Sequence, residues 1–293
     1  MKNNTLVTIG IPFYNASEYL ELAIRSILSQ TYENWELILL DDGSSDNSVS
    51  IATKFDKDPR VRVISDYKNK GLPYRLNQIS ALAKGEYYAR MDADDIMHPE
   101  RIKIQVEYLL QNPGIDVVGT AAITIDSNNF IIGSRSIVKS HDFSIKTILR
   151  KGLFIHPSIM GATTWFKNNP YDERAIRIED LELWIASCDT SIFSLIDLPC
   201  LFYRDGGEST LKKYIANSMS SFYVVRKHWK KIGVFYSSSY FLGKISKMIV
   251  YMIADQFNFT ERLVRITRSD SILDDDLKKY QASLDKILEQ IRE

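Results

Sequence analysis

The chain contains only two cysteines, Cys188 and Cys200, in 293 residues. They fit no metal-ligand spacing and no disulfide framework, which excludes a stapled secreted scaffold and suits a reducing compartment. Both read as small buried apolar side chains. Long hydrophobic runs are missing as well: nothing reaches the ~18 uncharged apolar residues that span a bilayer. The apolar run that begins at Leu6 is broken at Pro12, too short for a signal-peptide core. The protein is therefore expected in the cytoplasm. There is no excess of either charge, since 37 Lys and Arg balance 37 Asp and Glu, so net charge argues neither for nor against a polyanionic partner. Glycine is lacking where a dinucleotide enzyme needs it. The turn after the first apolar run reads Ile11-Pro12-Phe13-Tyr14-Asn15, with no glycine beyond Gly10. Backbone amides cannot cradle a pyrophosphate in such a turn, and no P-loop occurs.

What is present is an alternation of short apolar runs and helical patterns. Strands are expected over residues 6–11, 35–40, 61–65 and 87–91. Between them lie a helix from Leu20 with Ser17 as N-cap, one capped by Asp46 and running to Phe55, and one over 72–83. Such βα repeats imply a parallel sheet with helices on both faces and right-handed crossovers. Ligands bind outside the carboxyl ends of the strands in these sheets. Three polar clusters fall at those ends: Pro12 to Asn15, Asp41-Asp42, and Asp92-Ala93-Asp94-Asp95.

The last cluster carries the most information. Three carboxylates within four positions at a strand tip repel one another strongly in a low dielectric. Oxygen-only ligands favour a hard cation, Mg²⁺ or Mn²⁺. The competing reading is a solvated acidic turn before the helix that begins near Arg101. With no glycine cradle for a diphosphate, a metal on this cluster becomes the candidate for neutralising one.

Beyond Pro113 a hairpin is expected over 117–125 and 130–132, a helix over 143–150, a strand-like stretch over 154–160, and short strands at 194–196 and 201–203. A helix over 179–187 has an acidic first turn, and after Lys212 the chain reads as mostly helical. The stretch 204–268 holds twelve Lys and Arg against four Asp and Glu, and aromatics are interleaved with the cations. No nucleic-acid motif accompanies them. An anionic membrane surface and lysines snorkelling from packed helices are the two readings. Leu277, Tyr280, Leu284, Ile287 and Ile291 alternate three and four apart, a short seam for a packed terminal helix and a dimer contact.

Six pieces taken in order resemble the nucleotide-sugar-binding half of family 2 glycosyltransferases with the GT-A fold. They are Ile11 to Asn15, Ser26-Ile27-Leu28-Ser29-Gln30-Thr31-Tyr32, Glu36 to Asp42 with Gly43-Ser44-Ser45-Asp46, Asn69-Lys70-Gly71-Leu72, Ala83-Lys84-Gly85-Glu86-Tyr87, and Asp92 to Asp95. The resemblance implies an α/β GT-A fold, Rossmann-like, with a mostly parallel sheet flanked by helices. The catalytic domain would cover 1–210, with a donor half over 1–112 and an acceptor half over 113–210, followed by a helical extension over 211–293.

The same resemblance implies site roles. Asp42 would accept the N3–H of uracil, against an Asx turn as the bland role for Asp41 and Asp42. Pro12 and Tyr14 would shape the base pocket, and Asn15 would fix the turn. Arg75 would reach the base or a phosphate, unless it is a solvated helical arginine. Asp92, beside Ala93 and Asp94 in the nucleotide-sugar site, would touch the ribose or a metal-bound water. Asp94 and Asp95 would share the metal. Asp180, in a segment similar to the family's Glu-Asp helix start, would be the catalytic base, with Glu179 as the fallback. Its place at a helix N-terminus would lower its pKa. Trp184 would stack on a sugar or belong to the core, and His156 would line the site between donor and base. Many relatives carry a His soon after a Tyr-Arg pair; here Tyr203-Arg204 is followed by Asp205-Gly206-Gly207-Glu208-Ser209.

These expectations describe an inverting, metal-dependent transferase. It would move glucose or galactose from a UDP-sugar to an undecaprenyl-diphosphate-linked sugar in O-antigen synthesis, on the cytoplasmic face of the membrane. Two rivals are weighed: a sugar nucleotidyltransferase, which needs a glycine-rich activating loop that is missing, and a non-catalytic nucleotide-sugar-binding module, which lacks a competent base.

Overall fold

The computed structural model describes residues 5–135, 143–205, 211–256 and 274–292. Strand β1 (Val7–Phe13) pairs in parallel with β2 (Trp35–Asp41), and β2 with β3 (Val61–Ile64). On its other side β1 pairs in parallel with β4 (Tyr87–Arg90). Every residue of β1 and β2 is buried, which explains why these runs show no apolar-polar alternation: helices cover both faces. Helices α1 (Leu20–Leu28), α2 (Ser48–Thr53) and α3 (Leu72–Leu82) make the crossovers. Parallel pairing aligns the carboxyl ends, with Phe13 opposite Asp41, so the three polar clusters share one edge.

The second half extends the same sheet. After the acidic turn come β5 (Ile96–Met97), α4 (Arg101–Gln111), β6 (Val117–Ile125) and β7 (Ile131–Arg135). Next are α5 (Ile145–Lys151), β8 (Met160–Ala162), α6 (Thr163–Asn168), α7 (Glu179–Ser187) and β9 (Phe193–Arg204). The sheet order is β3-β2-β1-β4-β8-β6-β9-β5, with β7 on β6. Pairing is antiparallel at β4–β8 and β8–β6 and parallel at β6–β9. The sheet is therefore mixed: the donor-side strands β3-β2-β1-β4 are all parallel, and the acceptor half combines the parallel β6–β9 pair with antiparallel ones.

Several local expectations are corrected. The stretch 154–160 is not a strand: His156–Ser158 form a 3₁₀ turn, and only Met160–Ala162 pair. The short strands expected at 194–196 and 201–203 are one strand, β9, whose pairing with β6 shifts register near Thr120 and Ala121. Ser17 does not cap α1; Tyr19 holds that position, and the Ser17 N–H donates to Asp46 at 3.0 Å. Asp46 sits one residue before the α2 cap, Asn47, and takes the Ser48 N–H at 2.9 Å.

The C-terminal stretch attaches at two places. Helix α8 (Leu211–Lys227) leads through α9 (Trp229–Ile232) to α10 (Val234–Gln256). Val224 and Tyr223 of α8 join the core around Trp184, Phe154 and Phe193. Glu182 accepts from Lys227 Nζ at 2.5 Å and His228 Nε2 at 2.8 Å, and Asp172 accepts from Tyr223 at 2.5 Å and Lys227 at 2.8 Å. Lys227 and Lys231 thus dock helices onto the domain and do not belong to a free basic face; Lys231 donates to the Ile185 carbonyl at 2.6 Å.

The C-terminal helix (Asp274–Arg292) packs elsewhere. Its Leu284, Ile287 and Leu288 are buried against Ile96, Ile123, Ile125, Ile131 and Phe202, with Leu277 and Tyr280 alongside. The terminal helix is packed as expected. Its seam residues Leu284 and Ile287, with Leu277 and Tyr280 alongside, pack within the chain. The side chain of Ile291 and residues 206–210 lie outside the described residues. No helix among the described residues is long and apolar enough to cross a membrane.

Candidate active site

The acidic turn leaves β4 at the sheet edge. Asp92, Asp94 and Asp95 each offer an oxygen within 4.8 Å of the others. Asp92 is ion-paired to Arg90, which is buried at the end of β4 and whose Nε and Nη1 have no partner among the described residues. Asp95 is buried; its Oδ1 accepts the Arg204 backbone N–H at 2.9 Å, and its Oδ2 has no partner. Burial, then the charges of Asp94 and Asp92, push the Asp95 carboxyl well above the usual range. Desolvation in the turn, then the Asp92 charge, push the exposed Asp94 up to about 6. Three oxygen donors, one of them an orphaned buried carboxylate oxygen, fit a hard divalent cation.

The nucleotide side is built from loops that hold each other. Asn15 adopts φ 48°, a left-handed conformation that asparagine tolerates. Its Oδ1 accepts the Ser45 N–H at 2.8 Å, while its own N–H donates to Ser44 Oγ at 3.0 Å. Asn15 therefore ties the β1 turn to the β2 turn. Tyr14 is 52% exposed beside it, and Pro12 is buried on β1 opposite Leu40. Asp41 has the bland role, accepting from Ser44 N–H at 2.9 Å and Ser65 Oγ at 2.6 Å. Asp42 accepts the N–H groups of Lys70 at 2.7 Å and Gly71 at 3.0 Å, together with Arg75 Nε at 2.9 Å. Gly43 is required between them: φ is +78°, and a Cβ would strike the Lys68-Asn69 backbone.

Arg75 is neither solvated nor directed at a ligand. It is fully buried and donates to Asp42, to Asp66 at 2.6 Å, to Gln78 at 2.9 Å and to the Lys68 carbonyl. Three further acceptors close to Asp42 draw the guanidinium inward, so it shapes the 66–71 loop.

Across the cleft, α7 begins at Glu179 after Arg177, whose φ of 71° marks a strained entry. Asp180 accepts the Leu181 N–H at 2.7 Å. Its pKa is raised, not lowered as expected: desolvation outweighs the helix-end hydrogen bond and the distant Arg90 charge. Glu179 is buried with Oε2 unpartnered, and burial, then Asp180, push it up to about 7. His156 Nε2 lies 2.9 Å from the Tyr171 hydroxyl. Burial, then the Arg90 charge, hold His156 well below its ordinary pKa. A neutral ring 3.8 Å from Glu179 makes neither an ion pair nor a hydrogen bond. Trp184 is fully buried core, stacked on Trp165.

Three residues of this region were not foreseen. Arg90 lies in the strand just before the acidic turn, and a buried cation there is the only local signal that was available. Arg204 stands in the Tyr203-Arg204 pair, whose local signal is the absence of a following histidine. Tyr171 has no local signal; Asn77 of α3 fixes its backbone through bonds of 2.8 and 2.9 Å.

Comparison with known proteins places the family and the fold. Residues 8–193 match the family model described as glycosyl transferase family 2. The putative glycosyltransferase EpsE of Bacillus subtilis is 35% identical over 63% of this chain and 67% of its own length. A UDP-Glc:alpha-D-GlcNAc-diphosphoundecaprenol beta-1,3-glucosyltransferase, WfgD of Escherichia coli, is 28% identical over 85% of this chain and 92% of its own. Among solved structures, S. aureus TarS 1–349 in complex with UDP-GlcNAc superposes with a TM-score of 0.62 at 14% identity, covering 97% of this chain and 81% of that one. A mannosyltransferase of Pyrobaculum calidifontis in complex with GDP-Man and Mn²⁺ gives a TM-score of 0.60 at 14% identity, over 98% and 86%. The fold is GT-A.

Proposed function

The chain belongs to glycosyl transferase family 2, and from that premise we propose that it is an inverting, metal-dependent hexosyltransferase of surface-polysaccharide (O-antigen) synthesis. The donor is a UDP-sugar carrying glucose or galactose, and the acceptor is a sugar on undecaprenyl diphosphate. One observation supports this reading: three carboxylates crowd within 4.8 Å at 92–95, and a second, buried acidic pair, Glu179 and Asp180, lies near enough to feel the Asp92 charge. The WfgD name and the UDP-GlcNAc bound to TarS support the choice of donor and acceptor.

Asp94 and Asp95 would hold Mn²⁺ or Mg²⁺, which would neutralise the diphosphate of departing UDP without a general acid. Asp42, with Pro12, Tyr14 and Asn15 around it, would hold the base. Asp92, paired with Arg90, and Ala93 would face the ribose. Asp180 takes the proton of the acceptor hydroxyl as that oxygen bonds to the anomeric carbon. The bond from that carbon to the diphosphate breaks with its electron pair on UDP, and the configuration inverts. His156, neutral and held by Tyr171, shapes the wall between the two sides. Glu179 would be the alternative base.

Peripheral contact with an anionic membrane face belongs to the same proposal. Leu242, Ile245, Ile249 and Ile253 form an exposed apolar row on α10, with the exposed Lys247 beside it. The test is a screen of UDP-glucose and UDP-galactose with a GlcNAc-diphosphate-lipid analogue, with Mn²⁺ or with EDTA. Transfer that needs the metal is expected; turnover that is equal in EDTA would refute the metal reading.

A further inference from the structure

Arg204, at the end of β9, ties the acidic turn to a part of the molecule that no donor or acceptor would touch. Its backbone N–H donates to Asp95 Oδ1 at 2.9 Å, and its Nε donates to the Asp94 carbonyl at 2.8 Å. The rest of its guanidinium reaches into the β6–β7 turn: Nη1 to the Asp126 carbonyl at 2.5 Å and Nη2 to Asn129 Oδ1 at 2.7 Å. The ring of Tyr19 lies against the guanidinium, 4.1 Å from its carbon to the ring centroid.

The β6–β7 turn is itself fixed. Asp126 Oδ1 accepts the N–H groups of Asn128 and Phe130, each at 2.8 Å, and Asn129 takes φ 66°. From the far side the C-terminal helix grips it. Gln281 Oε1 accepts the Ile131 N–H at 3.1 Å, and its Nε2 donates to the Asn129 carbonyl at 3.4 Å. Below these bonds, Leu284, Ile287 and Leu288 pack on Ile96, which directly follows the acidic turn. Polar and apolar contacts thus connect the same two places.

Asp95 shows what this arrangement does. One of its oxygens is pinned by Arg204, and the other is buried without a partner. A carboxylate held at one oxygen presents the other in one direction, which removes rotamer freedom that a metal would otherwise have to freeze. We propose that Arg204, Asn129 and the C-terminal helix form a brace that presets the acidic turn for a metal-bound nucleoside diphosphate, so that metal affinity depends on Gln281, a residue remote from the metal. These are positioning residues. The inference rests on the metal reading above and adds to it a control built from the C-terminus.

The full chain tests it by calorimetry with UDP in Mn²⁺ and in EDTA. Arg204→Lys, which keeps the charge and loses the fork, should weaken Mn²⁺-dependent UDP binding about tenfold and leave UDP binding in EDTA unchanged. Asn129→Ala and Gln281→Ala should each weaken it about threefold, with thermal unfolding shifted by no more than a few degrees. Coupling is reciprocal, so hydrogen exchange in the C-terminal helix should slow when Mn²⁺ and UDP are added together and should not slow with UDP in EDTA. Folded variants that bind Mn²⁺ and UDP as the parent does, with unchanged exchange in the helix, would overturn the brace. Loss of UDP affinity in EDTA equal to the loss in Mn²⁺ would overturn it too, because the effect would not concern the metal. A parent protein whose UDP binding ignores Mn²⁺ would instead overturn the functional reading itself.

Discussion

The acidic turn and the start of α7 are both carboxylate clusters partly withdrawn from water, yet their remaining charge is handled in different ways. At 92–95 three carboxylates crowd within 4.8 Å, and one buried oxygen has no partner. A backbone N–H and two arginines surround the group without saturating it. At α7 Glu179 lies 3.8 Å from the neutral His156, Asp180 takes the Leu181 N–H, and among the described residues neither acid has a hydrogen bond from a cation. There a proton is the available neutraliser, and Glu179 is raised to about 7. The same cost of burying charge thus underlies both proposed roles, a cation site in one place and a proton acceptor in the other.

The sharpest way to break this contrast is Asp180→Asn. Transfer should fall by about 10³-fold, within the range expected for losing a general base, while UDP binding in Mn²⁺ stays within about twofold by calorimetry. A matching loss of UDP affinity would erase the distinction between the clusters. Asp95→Asn should do the reverse. Mn²⁺-dependent UDP affinity should drop by about a hundredfold, with no change in EDTA. The melting temperature of the metal-free protein should hold or rise, since the carboxyl is already pushed toward its neutral form.

The next effect is about tenfold. If Asp180 is the base, transfer should fall as pH drops from 8 to 6, by up to about tenfold, because burial raises Asp180 and its neighbour Glu179 is pushed up to about 7. Stability should run the opposite way. A folded pKa raised above the unfolded value means that Glu179 contributes fully below about 4.5 and loses its contribution as pH rises toward 7. Glu179→Gln should flatten that slope in thermal melts from pH 4.5 to 8. The smallest effect concerns neither cluster. Against burial, which pushes Glu182 up, bonds from His228 and Lys227 hold its pKa below the ordinary value. Its stabilising contribution is thus present above about pH 4.5 and lost on acidification. Glu182→Gln should cost about 2 kcal/mol at neutral pH, read by denaturant unfolding, and leave Mn²⁺-dependent UDP affinity unchanged.

Much of the donor half was legible because its signals are local. Continuous apolar runs in β1 and β2, the glycine at 43 and the acidic tip after β4 each follow from a few neighbouring residues. Asp42 and Asn15 could be named for the same reason, although their partners, Gly71 and Ser45, lie some thirty residues away. The acceptor half was read less well. His156-Pro157-Ser158 looked like part of a strand, but with proline, whose φ is fixed near the helical value, in its first turn it forms a 3₁₀ segment. Asp180 looked like an acid with a lowered pKa, because a helix N-terminus is visible in sequence and the surrounding walls are not. Arg75 reads as reaching the base or a phosphate, or else as a solvated helical arginine; Asp42, Asp66 and the Lys68 carbonyl, gathered by a loop, hold it buried.

From the residue order alone came the family, the parallel donor half and the three polar clusters at strand ends, since pattern and period decide which elements form and which way they run. Tertiary structure alone decided how those clusters are charged and braced. Desolvation depends on what packs overhead, and the contacts of Arg204 with a turn about 75 residues earlier, itself held by Gln281, exist only once the sheet has closed.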